Sequence, residues 1–150
     1  GVTTLVIGYN KCQKQDINLG SVNNQKIVSI PYHKFRQKLE QLCIEHGISY
    51  ISQEESYTSK ASALDMDAIP THGVDEAPTA FNGKRIHRGL YRSSDGSVLN
   101  ADINGSINIL RKYVKERNEN WNYQDSVRAL VNVPCQRVSP FAQAPSFRWV

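Results

Sequence analysis

Two kinds of side chain in this sequence are grouped closely enough to do chemistry together. Lys84, Arg85, Arg88 and Arg92 crowd one short segment, with Tyr91 interleaved among them. Cations so arranged suit a phosphate backbone, and an aromatic ring beside them suits an exposed base. The acids Glu54 and Glu55 stand side by side after a strand-like run, and Asp102 opens a helix-like one. Successive side chains of a strand point to opposite faces, so at most one of the two Glu carboxylates enters any one site. The bland alternative is a solvated acidic strand end. Asp102 taken alone is an acid in a first helical turn, where the helix dipole favours negative charge. Arg111, Lys112, Lys115 and Arg117 form a second basic group on a later helix. Each basic group is either a solvated face or a set of phosphate contacts.

Composition sets the outer bounds. The 150 residues fit one ordinary domain or slightly more, and 18 Lys and Arg against 14 Asp and Glu leave a charge of +4. An excess of that size agrees with an anionic partner without requiring one. No apolar run approaches the roughly 20 residues of a membrane-spanning helix, which excludes that class. Gly1 is not a Met, no basic leader precedes a cleavage pattern, and Val2 to Ile7 already read as a core strand. The chain is therefore expected to begin inside a longer protein, not at a secretory signal. Cys12, Cys43 and Cys135 are odd in number and far apart, with no zinc or redox spacing. A reducing, cytoplasmic setting follows as the expectation.

The elements that must position these residues are legible in part. Residues 2–9 lack polar alternation and are rich in Val, Thr and Ile, as in a strand buried on both faces. A polar connection follows, and Pro31 then opens a helix. Tyr32, Phe35, Leu39, Leu42 and Cys43 share one face of that helix, and Gly47 stops it. Residues 48–52 read as a second strand, so strand, helix and strand make a βαβ unit with parallel strands. From Gln53 to Gly83 periodicity is lost, which points to a functional loop or an inserted lobe. Residues 84–92 and 97–101 are expected to pair as a hairpin around Asp95-Gly96. A second helix starts near Asp102, with Ile103, Ile107, Leu110 and Val114 as its apolar stripe. The last thirty residues read as an extended tail on the body.

Two segments carry a resemblance. One is Glu54-Glu55-Ser56-Tyr57-Thr58-Ser59-Lys60-Ala61-Ser62, directly after the second strand. The other is Asn100-Ala101-Asp102-Ile103-Asn104-Gly105-Ser106-Ile107-Asn108-Ile109, at the helix start. In type, order and separation they resemble the TnpB (OrfB) family of insertion-sequence proteins, over residues 2 to about 114. Val6-Ile7-Gly8-Tyr9-Asn10 and Arg88-Gly89-Leu90-Tyr91-Arg92 are similar to one branch of that family. The resemblance implies a RuvC-like, RNase H-type nuclease of a mobile element, acting on DNA and guided by RNA. It further implies Mg²⁺ or Mn²⁺ held by carboxylates for two-metal phosphodiester hydrolysis. Asp102 then corresponds to the family's last catalytic aspartate.

The sequence departs from the family pattern in two places. The family's middle acid ends the first strand, where this chain has Gly8; Glu54 or Glu55, ending the adjacent strand, is expected to replace it. The family's first aspartate belongs to a strand before residue 1, so this piece alone is expected to hold an incomplete metal site. The zinc-ribbon cysteines are also replaced, approximately by Ser62, Asp65, Arg92 and Asp95, and no zinc is expected.

The fold expected is α/β. A partial RNase H-like (RuvC-like) domain with a βαβ unit carries an inserted, zinc-free, ribbon-like lobe with a hairpin. The division is 1–55 for the first RuvC-like region, 56–100 for the lobe, 101–117 for the last helix and 118–150 for the tail. The alternative function is a nucleic-acid-binding remnant without cleavage. A membrane partner is not expected.

Overall fold

A computed structural model describes residues 1–10, 31–76, 78, 80–87 and 89–118. Cys12, Cys135, Arg88, the connection over 11–30 and the tail from 119 onward lie outside the described residues. The elements run β1 (Thr4–Tyr9), α1 (Tyr32–Glu45), β2 (Ser49–Glu54), β3 (Lys84–His87), β4 (Leu90–Arg92), β5 (Val98–Asn100) and α2 (Ala101–Glu116). Among the described residues, two sheets and two helices make a mixed α/β structure. Among the described residues, no helix is long and apolar enough to cross a membrane.

The first sheet is β1 beside β2, parallel, with Thr4 opposite Ser49 and Tyr9 opposite Glu54. Parallel pairing needs a crossover, and α1 lies between the two strands in sequence. Pro31 precedes the helix rather than entering it, and its carbonyl accepts from the Phe35 N–H at 3.0 Å. Gly47, at φ +66°, supplies the left-handed residue that ends α1, and the Ile48 N–H returns to the Cys43 carbonyl at 2.8 Å. Arg36 ties the helix to the sheet. Its guanidinium donates to Ser52 Oγ and the Tyr50 hydroxyl and lies 4.4 Å from the centre of the Tyr9 ring.

Burial in this half is thinner than the sequence suggests. The strand expected to be enclosed on both faces is only half-buried over Thr4–Gly8, because β2 is its one partner strand among the described residues. On α1, Cys43 is buried as the pattern implies, but Phe35 is 59% exposed and Leu42 37%. The periodicity identified the face; it did not guarantee a surface to cover it.

The second sheet is antiparallel, in the order β3-β4-β5. The segment expected as one strand over 84–92 is two strands, folded back where Gly89 adopts φ +83°. The β4–β5 turn holds Asp95-Gly96 as expected, with Gly96 at φ +86°. α2 packs against β1, β2, β4 and β5 and so joins the two sheets. Tyr91, Leu99 and Ala101 form the small core beneath, with Leu64 and Ile103 against them.

Candidate nucleic-acid and metal site

The end of β2 separates its two acids. Glu54 accepts from Lys112 Nζ and from both the backbone N–H and the hydroxyl of Ser56. Partial burial pushes the Glu54 carboxyl up, but the bonds from Lys112 and Ser56 together hold it below the usual carboxylate value. Glu55 extends the β1–β2 ladder by donating its N–H to the Tyr9 carbonyl at 3.2 Å. Its carboxylate lies against Gly8: a Cβ there would collide with Glu55 Oε2 and would meet Ile109 Cδ1 at 2.6 Å. Glycine at that position is what makes room for the glutamate. Burial pushes the Glu55 carboxyl up, the Glu54 charge adds to this, and Arg36 opposes it.

Asp102 approaches from the other side. Asn100 caps α2, its side chain accepting from the Asp102 and Ile103 N–H groups at 2.8 and 3.1 Å. The cap starts the helix one residue after β5 ends and sends the Asp102 carboxylate outward, 87% exposed and 3.9 Å from Arg85 Nη2. Glu55, Asp102 and Arg85 line one cleft of about 330 Å³, with Asn10, Tyr57 and Ser59 also on its wall. Glu54 is absent from that wall and faces a neighbouring cleft with Lys60 and His72. Two hard carboxylate donors open to one cleft suit a hard divalent cation, which completes its shell from water and phosphate. Among the described residues, no group of three or more His, Cys, Asp or Glu side chains converges as a full metal cluster would.

The residues that position this cleft were missed by sequence reasoning. The fully or nearly buried seam of α2 is Ala101, Asn104, Ile107, Asn108 and Lys112; of the expected stripe Ile107 lies in it, while Ile103, Leu110 and Val114 are only half-buried. Asn104 accepts from the Ala63 N–H and donates to the Ala61 carbonyl, at 2.9 and 2.8 Å. Asn108 donates to the carbonyls of Thr58 and Ala61 at 2.9 and 2.7 Å. The two segments that carry the resemblance are thus docked on each other by these amides. A turn that must be buried leaves backbone groups needing partners, and the seam supplies them. The available signal was the i, i+4 spacing of Asn104 and Asn108 inside a helix that has little local use for Asn.

The second basic group is partly consumed by the same task. Arg111 donates to the Asp67 carbonyl and to Asn108 Oδ1, both at 2.9 Å, and Lys112 is 5% exposed against Glu54 and the Pro70 carbonyl. Neither is a solvated face.

In the first basic group, Lys84 stands opposite Arg92 in register and both are exposed. Tyr91 corrects an expectation: it is 0% exposed and donates its hydroxyl to the Lys60 carbonyl at 2.7 Å, so its ring has no face for a base. Burial, with the charges of Asp67 and Asp65, pushes that hydroxyl up to about 12. Strand alternation turned Tyr91 inward while its neighbour Arg92 turned outward. Gly83 lies against this ring and leaves no room for a Cβ.

Around Ser62, Asp65 and Asp95 the chain is tied by carboxylate and hydroxyl hydrogen bonds. Asp65 accepts from the backbone and hydroxyl of Ser94, and its own N–H donates to Ser62 Oγ. Asp95 accepts from Ser93 Oγ and the Ser97 N–H, at 2.6 and 2.8 Å. Asp67 joins the Ser62 N–H to Asn82.

Residues 32–109, just over half of the chain, match the family model of the Cas12f1-like TNB domain. The match begins at α1 and ends inside α2, so it spans Glu54, Glu55, the second sheet and Asp102. No curated protein and no solved structure matches the chain.

Proposed function

The chain belongs to the Cas12f1-like TNB-domain family, of the TnpB and Cas12 nuclease-associated type, and on that premise we propose that it is the RuvC-like C-terminal part of an RNA-guided DNA endonuclease encoded by a mobile element. The observation that carries this reading is that Glu55 and Asp102 open on one cleft while Glu54 is engaged by Lys112. Glu55 and Asp102 are the residues that would hold Mg²⁺ or Mn²⁺, and a bound metal pair would activate water and stabilise the leaving oxygen of a phosphodiester. The chain's own part is positioning: Gly8 leaves the space for Glu55, Asn100 sets the angle of Asp102, and Arg85 stands where a phosphate would approach. Lys84 and Arg92 extend that positive surface toward a DNA strand or guide RNA. On this reading the lobe over 56–100 needs no zinc: Asp65 and Ser94 link its two halves, and Asp95 ties its own turn through Ser97.

Cleavage by the full-length parent tests the assignment. Asp102→Ala and Glu55→Gln should each abolish cutting of a target duplex while leaving its binding within about 2-fold, because the lost groups are metal ligands rather than phosphate contacts. Retained cleavage in Glu55→Gln would overturn the relocated acid. A second reading, a nucleic-acid-binding remnant without cleavage, is favoured by Gly8 standing where the family carries an acid. It requires that wild type itself fail to cut while still binding.

A further inference from the structure

The turn that presents Glu55 holds its next residue but one in an unusual state. Tyr57 has φ +61°, a left-handed conformation that costs a bulky aromatic residue roughly 1–3 kcal/mol and persists only when its surroundings impose it. They do so here. The Tyr57 carbonyl accepts from the N–H groups of Lys60 and Ala61, both at 2.9 Å, and Asn108 anchors the Thr58 carbonyl. The outcome is a half-buried ring turned toward a cleft of about 590 Å³ that Lys60, His72 and Ser59 also line. His72 lies 6.3 Å from the ring centre at 29°, and Phe81 6.3 Å away at 40°. That separation is near the outer end of the 4.5–7 Å range of aromatic pairs, and Tyr57 as a whole keeps part of its surface open to the cleft. The exposed Lys60 places its Nζ over the same ring, 5.7 Å from its centre.

We infer that this cleft is a binding subsite for one unpaired nucleobase of a single strand, with Tyr57 as its stacking face and Lys60 as its phosphate contact. An aromatic face beside a cation is the pairing that takes bases without regard to sequence. The acid on this wall, Glu54, is already offset by Lys112 and adds little repulsion toward a phosphate. The cleft shares Asn10, Ser56, Tyr57 and Ser59 with the cleft of Glu55 and Asp102. A base seated on Tyr57 therefore belongs to a nucleotide beside the one whose phosphate meets the acids. The backbone strain at Tyr57 aims the ring, and the aim fixes the strand's register against the carboxylates. The subsite rests on the nuclease reading for its purpose, but its binding is measurable without cleavage.

The test is fluorescence anisotropy of the full chain with labelled single-stranded DNA and RNA oligonucleotides, in EDTA, against the same strands made abasic. Wild type should hold the base-bearing strand more tightly than the abasic one; equal affinity for both would overturn the subsite without need of any variant. Tyr57→Gly removes the ring and relieves the left-handed backbone, so the turn is preserved. It should weaken base-bearing strands roughly 5- to 100-fold and leave abasic ones unchanged, while Tyr57→Phe stays within about 2-fold of wild type. Equal losses on both kinds of strand, or no loss, would reduce Tyr57 to a packing residue. The strand chemistry that shows the Tyr57 dependence, DNA or RNA, identifies the occupant. Because EDTA removes catalysis, failure here leaves the metal-site reading standing, and failure of cleavage in the parent leaves this one standing.

Discussion

Glu54 and Glu55 are neighbours in sequence with the same carboxylate, and the structure gives them opposite surroundings. On one side of the β2 end, Lys112 is almost enclosed and Glu54 answers it, with Ser56 adding two more donors. On the other side, Glu55 lies in the space that Gly8 leaves, partly desolvated, beside a like charge. The first side is electrostatically satisfied and holds the fold. The second holds a carboxyl that burial and the Glu54 charge push up and Arg36 opposes, surroundings of the kind found at functional sites. One residue of register separates a structural acid from a candidate functional one.

The comparison breaks most visibly through Glu54. Glu54→Gln should cost about 1–2 kcal/mol at pH 7, the lower part of the range for bonds to a charged group, because this side chain is 36% exposed and solvent screens it. Its carboxyl is held below the ordinary 4.5, so its contribution is present above pH 4.5 and is lost as the pH falls through the lowered folded value. Urea titrations of wild type and variant should therefore converge in acid. A variant as stable as wild type at pH 7 would mean that Lys112 needs no counter-charge.

Glu55 should behave with the opposite sign. Its raised carboxyl favours the protonated form in the fold, a contribution complete below pH 4.5 and lost as the pH rises through the folded value. Glu55→Gln should thus stabilise the chain by up to about 1 kcal/mol at pH 7 and change little at pH 4. Paired melting curves at the two pH values read this directly, and destabilisation at pH 7 would erase the contrast.

The smallest expected effect separates the hydrogen-bonded lobe from a metal-held one. Incubation with a strong zinc chelator should leave the melting temperature within about 1 °C, since a structural zinc would contribute folding energy outright. A large drop, together with stoichiometric zinc by elemental analysis, would show that the Asp65–Ser94 linkage is not what closes the lobe.

The elements read best from sequence were those defined by neighbours along the chain. β1, α1 and β2 appear within one or two residues of their expected bounds, because strand composition, helical spacing and the Gly47 stop are local signals. The Asp95-Gly96 turn is equally local. The segment over 84–92 departs from the single strand expected because Gly89 folds it back into two. The α2 stripe holds at Ile107 and Ile103, but apolar spacing alone does not mark the buried face, because the fold also encloses Asn104, Asn108 and Lys112.

The site divides the same way. That acids stood at the end of β2 and the start of α2, with cations between, was visible in residue types and order. Which acid turned inward, that Tyr91 was spent on the core, and that Arg111 and Lys112 served the turn were not visible. By itself the sequence determined which segments become strand, helix and turn, since dihedral preference and periodicity act over a few residues. The tertiary structure alone decided which carboxylate shares a cleft with Asp102. That choice depends on a glycine 47 residues before Glu55 and a lysine 57 residues after it, and only packing and charge across space bring those groups to either side of one strand end.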